Sequence, residues 1–202
     1  MFLRIGWGKP RRYPMLSEKE KKFIECAKTV AAENAYDVMC IVTHAYHEVG
    51  AGLIKTVGQN NYWGIKTPEK SVWNGLVAKV WTHENMRALP KETQDEALIR
   101  ATRAWPKKNA EIECKEKANG IEYWKVKIID TFRDWPTVEQ ALLWYVDFIK
   151  RNYPNAYNHR LNPIAYFLGL SGYATDPLYI KKLNNTYSNL SQNEEIKKIL
   201  TI

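Results

Sequence analysis

Cysteine is scarce in this chain: Cys26, Cys40 and Cys114 are the only three in 202 residues. An odd count at wide spacing excludes a Cys-x-x-Cys metal or redox site and provides no disulfide framework. Folding in a reducing compartment is expected. No stretch approaches the roughly 20 apolar residues that a membrane helix needs. The N-terminus carries Arg4, Lys9, Arg11 and Arg12 but no apolar run of secretory-signal length. There is no Gly-x-Ser-x-Gly, no phosphate-binding loop, no internal repeat and no low-complexity linker. The usual signatures of serine hydrolases and nucleotide enzymes are therefore missing.

What is present describes a folded, basic, aromatic-rich protein. Hydrophobic residues make up 45% and aromatics 12%, which disfavours disorder. The length suits one domain with a real core and is short for two. Eight Trp and twelve Tyr suit an aromatic core; they also suit a groove whose flat rings stack on sugars. The net charge is +8, but the basic residues are spread along the chain from Arg4 to Lys198 rather than gathered in one block. Such charge is mostly solvated surface. It attracts polyanions in general, an anionic cell wall or nucleic acid, and no nucleic-acid motif accompanies it.

Local signals predict a mainly helical chain with a small β-region in the middle. Ser17 and Glu20 form a capping box, opening a helix to about Glu33 with Phe23, Ile24, Ala27, Val30 and Ala31 on one face. A second helix runs from Tyr36 to about His47 and ends near Gly50 or Gly52. Residues 51–66, with Gly58, Asn60, Asn61 and Gly64, read as a loop. Leu76–Trp81 reads as a strand. Thr93 and Glu96 cap a helix that Pro106 stops. Asn119-Gly120 predicts a hairpin between strands Ile112–Glu116 and Ile121–Ile129. Thr137 starts a helix with Val138, Leu142, Tyr145, Phe148 and Ile149 as its stripe. Asp176-Pro177 predicts the start of a last helix.

Two clusters carry possible chemistry. His44 and His47 sit near Glu48, but the residue three after Glu48 is Ala51, so the His-Glu-x-x-His pattern of zinc proteases is broken and no third ligand is evident. Glu48 closes an apolar helix. Half-burial there would raise its pKa and let it donate a proton near neutral pH.

The ordered motifs carry a resemblance. His47-Glu48-Val49-Gly50-Ala51-Gly52 resembles the Glu-Ser-Gly-Trp-Gly segment of glycoside hydrolase family 73 glucosaminidases, with Val49 and Ala51 replacing the family's Ser and Trp. Asn60-Asn61-Tyr62-Trp63-Gly64-Ile65-Lys66 is similar to their Asn-Asn-Leu-Phe-Gly-Ile-Lys. Thr131-Phe132-Arg133-Asp134-Trp135 resembles their Phe-Arg-x-Tyr, and Gly172-Tyr173-Ala174-Thr175-Asp176-Pro177 matches their Gly-Tyr-Ala-Thr-Asp-Pro. The four occur in the family's order between about Ser17 and Leu190.

The resemblance implies a lysozyme-like α+β fold, a helical lobe and a small β-lobe with a catalytic cleft between them and Glu48 at its floor. One catalytic domain is expected over residues 1–202, with an N-terminal extension over 1–16 and an insertion over about 85–110. The implied reaction is hydrolysis of the GlcNAc-β-1,4-MurNAc bond of peptidoglycan, with Glu48 as general acid and no cofactor. A muramidase cutting the alternate bond, and an inactive wall-binding module, are the alternatives. Glu84, in Thr82-His83-Glu84, and Glu116 compete for the second carboxylate; the Thr-x-Glu match and its distance from Gly64 favour Glu84. Tyr173 is expected to position the reacting sugar. Asn60 and Asn61 would bind acetamido groups, and Tyr62 and Trp63 would stack on sugar. Expected partners are peptidoglycan glycan strands, with no nucleic acid, no membrane insertion and a monomeric state. The absence of a signal suggests a phage or prophage lysin acting on the bacterial wall.

Overall fold

The structure, a computed structural model, describes residues 15–50, 53, 58–67, 73–118, 120–174 and 176–200. Ala51, Gly52, Asn119 and Thr175, which belong to the motifs and the hairpin turn above, lie outside them. The chain forms two compact units: Met1–Ile54 with Leu142–Ile202, and Lys55–Ala141. No described helix is long and apolar enough to cross a membrane.

The first unit is helical. Helix α1 spans Glu18–Glu33 and opens on the capping box: the Ser17 hydroxyl accepts from the Glu20 N–H, and the Glu20 carboxylate accepts from the Ser17 N–H. The same carboxylate receives the Tyr46 hydroxyl at 2.9 Å, so one acid caps α1 and ties it to α2. Helix α2, Val38–Val49, is capped by Asp37 and ends at Gly50 with φ 78°, a conformation glycine adopts without strain. Every residue from Met39 to Tyr46 is buried, so α2 is the central rod of this unit rather than a surface helix. From Leu142 onward, helix α4 (Val138–Asn152) adds Leu142, Tyr145 and Ile149 to the same core.

Short helices α5 (Pro154–Asn158) and α6 (Pro163–Gly169), each started by proline, were not legible as hydrophobic stripes. Helix α7, Tyr179–Leu190, begins three residues after Asp176 rather than at it, because Asp176 caps the preceding turn through the Leu178 N–H. It is not the last: α8, Glu194–Leu200, follows and packs on α1 through Ile196 and Leu200.

The second unit is built on a three-stranded antiparallel sheet in the order β1-β3-β2. Strand β1 runs Val77–Arg87, β2 Glu111–Ala118 and β3 Ile121–Arg133, all longer than the sequence signals suggested. On β3 the even-numbered residues from Trp124 to Phe132 are buried and the odd ones are not. Helix α3, Gln94–Ala104, covers that buried face: Ala97 and Ala101 pack with Met86, Trp124, Val126 and Ile128, while Leu98 points outward. Glu92 fixes the approach to α3. It takes Arg100 at 2.9 and 2.8 Å, the Leu89 N–H and the Trp124 indole, and these bonds, led by Arg100, hold its carboxyl down at about 2.

Candidate active site

Glu48 is in the last turn of α2, and its side chain is 23% exposed. One oxygen, Oε1, accepts from the Tyr179 hydroxyl of α7 at 2.5 Å. His44, one turn earlier on α2, brings its Nε2 to 2.8 Å from the same hydroxyl and 3.6 Å from Oε1. The other ring nitrogen meets Tyr145 of α4 at 2.5 Å, and Tyr145 meets Tyr166 of α6 at 2.6 Å. The acid therefore ends a file of four polar side chains running into the core. Both nitrogens of His44 are taken by phenols, while His47 packs its ring 5.0 Å from that of Tyr179.

The environment of Glu48 corrects the sequence expectation about its pKa. Burial is the largest single influence and pushes the carboxyl up. The neighbouring His44 ring, the Tyr179 hydrogen bond and His47 together outweigh it, so the carboxyl lies below its ordinary value. Burial lowers the His47 imidazole, with Glu48 opposing that shift. Tyr173 packs its ring 4.5 Å from His44 and stacks 5.9 Å from Tyr179. Burial, followed by the negative charge of Glu48, pushes its phenol well up, which keeps it a neutral hydroxyl.

In the second unit the Asn-Asn motif is shaped by the Phe-Arg motif. The Asp134 carboxylate accepts the backbone N–H groups of Gln59 at 3.0 Å and of Asn60 and Trp135 at 2.9 Å. Gly58, at φ 66°, lies so close that an added Cβ would sit 2.4 Å from an Asp134 oxygen. The Asn61 amide donates to the Ile65 and Arg133 carbonyls, and its oxygen accepts from the Trp63 and Ile65 N–H groups. Asn60 donates to the Trp135 carbonyl at 2.8 Å. These carboxamides are spent on the loop, and Tyr62 and Trp63 are 1% and 2% exposed. Asn60, Asn61, Tyr62 and Trp63, the residues expected to contact sugar, build and bury the loop here, because large rings gain more from the core than from solvent.

The two competing carboxylates are separated by strand register. Glu84 pairs with Val126, so it shares the face of β3 that α3 covers in part. Glu116 pairs with Tyr123, an odd number of residues away, and points to the opposite face. Glu84 is 33% exposed and takes Lys66, the last residue of the Asn-Asn motif, at 2.7 Å; Lys66 also reaches buried Asp130 at 3.0 Å. Glu116 is 56% exposed and lies near Lys125 and Cys114.

Sequence reasoning missed His44, except as a possible ligand, and missed Tyr145 and Tyr166 as polar groups. The four-residue spacing of His44 and Glu48 on a helix was the available signal.

The sequence profile of the Glucosaminidase family, described as mannosyl-glycoprotein endo-beta-N-acetylglucosaminidase, matches residues 24–192. No curated protein sequence matches the chain. Among solved structures, the catalytic domain of the autolysin Auto from Listeria monocytogenes is similar at a TM-score of 0.50 and 15% identity, over 93% of this chain and 90% of that one. At that identity the likeness establishes the lysozyme-like α+β fold.

Proposed function

From the premise that this chain belongs to the glucosaminidase family and is a glycoside hydrolase, we propose that it cuts the GlcNAc-β-1,4-MurNAc bond of peptidoglycan with Glu48 as general acid. The observation that carries this reading is the Glu48 carboxyl itself, held through Oε1 by Tyr179 at the end of a buried helix, with no hydrogen bond from a described residue on Oε2. Glycosidic cleavage needs a proton delivered to the leaving oxygen. Glu48 gives that proton as the C1–O bond breaks, and the bonding pair stays on the departing oxygen. Water completes the reaction at C1 and releases a proton to a carboxylate. In the free protein Glu48 favours its charged form. A bound sugar that covers its remaining exposure adds to the upward push of burial and favours the acid form. The basic surface suits an anionic wall polymer.

Reducing-end analysis of digested, purified peptidoglycan tests the bond. N-acetylglucosamine at the new reducing ends is expected; N-acetylmuramic acid there would make the enzyme a muramidase.

For the second carboxylate we favour Glu84, which stabilises the oxocarbenium-like centre or activates water. Its support is the ion pair to Lys66, which joins the Thr-x-Glu segment to the Asn-Asn motif; Glu116 touches neither. Tyr173 is a positioning hydroxyl beside Glu48. In one variant series, Glu84→Gln should cost more turnover than Glu116→Gln, and Tyr173→Phe should lower turnover with little change in Tm. The reverse order of the two Gln variants would transfer the role to Glu116. A Tyr173→Phe protein that loses stability but keeps its specific activity would make that residue structural.

A further inference from the structure

His44 performs none of the chemistry assigned above, yet it is fully buried with both ring nitrogens on phenols. Following the protons gives the file a direction. Tyr179 has one hydroxyl proton and donates it to Oε1 of Glu48, so its oxygen accepts from His44 Nε2. In the neutral imidazole Nδ1 then accepts, and the Tyr145 hydroxyl donates to it. The Tyr145 oxygen is left to accept from Tyr166. Burial pushes the phenols of Tyr145, Tyr166 and Tyr179 upward, which keeps their protons in place while carboxyls titrate.

We propose that His44 is a positioning residue for the acid: through it the chain Tyr166–Tyr145–His44–Tyr179 fixes Oε1 of Glu48 as an acceptor and leaves Oε2 as the atom that carries the catalytic proton. A proton on Oε1 would meet the Tyr179 hydroxyl proton, and turning that bond round would require turning every bond back to Tyr166. A half-turned file would leave buried donors or acceptors unmet, which is costly. Oε2 accepts no hydrogen bond from a described residue. The other groups facing Glu48 are His47 on α2 and Tyr173 ahead of α7, with Asp176 and Lys182 acting on His47. This inference rests on Glu48 being the acid.

The test uses three variants of the full chain, each leaving His47, Tyr173, Asp176 and Lys182 in place. His44→Gln keeps one donor and one acceptor, His44→Leu keeps neither, and Tyr145→Phe removes a single hydroxyl. Two quantities are measured: the titration midpoint of the Glu48 carboxyl by carbon NMR in the free protein, and the basic limb of kcat/KM on peptidoglycan. The hydrogen bond from Tyr179 favours the charged carboxylate, so weakening it raises the pH at which the acid form is lost. Both midpoints should move to higher pH in His44→Leu, less far in Tyr145→Phe, and stay near wild type in His44→Gln. A half-unit move corresponds to about a threefold change in proton affinity.

Unchanged midpoints in folded His44→Leu and Tyr145→Phe would overturn the proposal. A shift in His44→Gln as large as in His44→Leu would also overturn it, since the charge of an imidazolium would then be the active feature. If His44→Leu does not fold, Tyr145→Phe decides. The NMR titration needs no turnover, which separates the two ideas. Unchanged titrations alongside an inactive Glu48→Gln protein remove only the positioning role, whereas Glu48→Gln lysing at the wild-type rate removes the acid role and leaves the titrations standing.

Discussion

Glu48→Gln is expected to lose turnover on purified peptidoglycan by a factor on the order of 10² or more, while its melting curve stays near that of the wild type. The expectation is this sharp because the substitution changes little else. The glutamine oxygen still accepts from Tyr179 in place of Oε1. The amide nitrogen takes the position of Oε2, which accepts no hydrogen bond from a described residue. The neutral amide leaves His44, Tyr145 and Tyr166 with their partners. What disappears is the transferable proton. A factor of 10² is about 2.7 kcal/mol of barrier, far more than one exposed hydrogen bond supplies. Lysis by the purified variant at near wild-type rate, with the fold verified by circular dichroism, would remove Glu48 from the chemistry.

Asp134→Ala should be the most damaging single change in the second unit. Its buried carboxylate accepts three backbone N–H groups, from Gln59, Asn60 and Trp135. Hydrogen bonds to a charged group are individually strong, and donors left buried without an acceptor cost more than the bond contributed. Partial rehydration offsets part of this. A net loss of about 3 kcal/mol is expected, or roughly 6–12 °C in Tm for a chain of this size. The Asn60–Lys66 loop should loosen with it and turnover should fall. Asp134→Asn keeps one acceptor and should lie between the two. Thermal denaturation of the three proteins decides the matter; an alanine variant melting within about 2 °C of wild type would mean that the loop is held by something other than Asp134.

Much of this molecule is decided locally. The capping boxes at Ser17 and Thr93 start α1 and α3 as their sequences require, because a cap satisfies N–H groups within one turn and needs no distant partner. Strands β2 and β3 lie either side of Asn119-Gly120, as that local signal predicts, with Ala118 paired to Ile121. Family membership was also legible, since four short motifs in a fixed order specify it without any contact between them.

The site depended on what no local rule contains. His44 and Tyr179 are 135 residues apart, and only the packing of α7 on α2 makes the Glu48 carboxyl the end of a buried file. That file reverses the sign of the expected pKa shift, because specific hydrogen bonds outweigh burial. In the sheet, strict alternation would put Glu116 on the same face as Ile112. The bulge between Ile112 and Cys114 inserts one residue and turns Glu116 to the other face, away from that of Glu84. Tyr62 and Trp63 were equally ambiguous between groove and core, and burial of their large apolar surface resolved them. Capped helices, hairpin strands and the short motif that holds Glu48 were readable in the sequence, since these follow from neighbours a few residues apart; α5, α6 and α8 were not. Which side chains meet that acid, and which face each glutamate takes, was decided by tertiary packing, because hydrogen-bond partners and strand register are set by residues far apart in the chain.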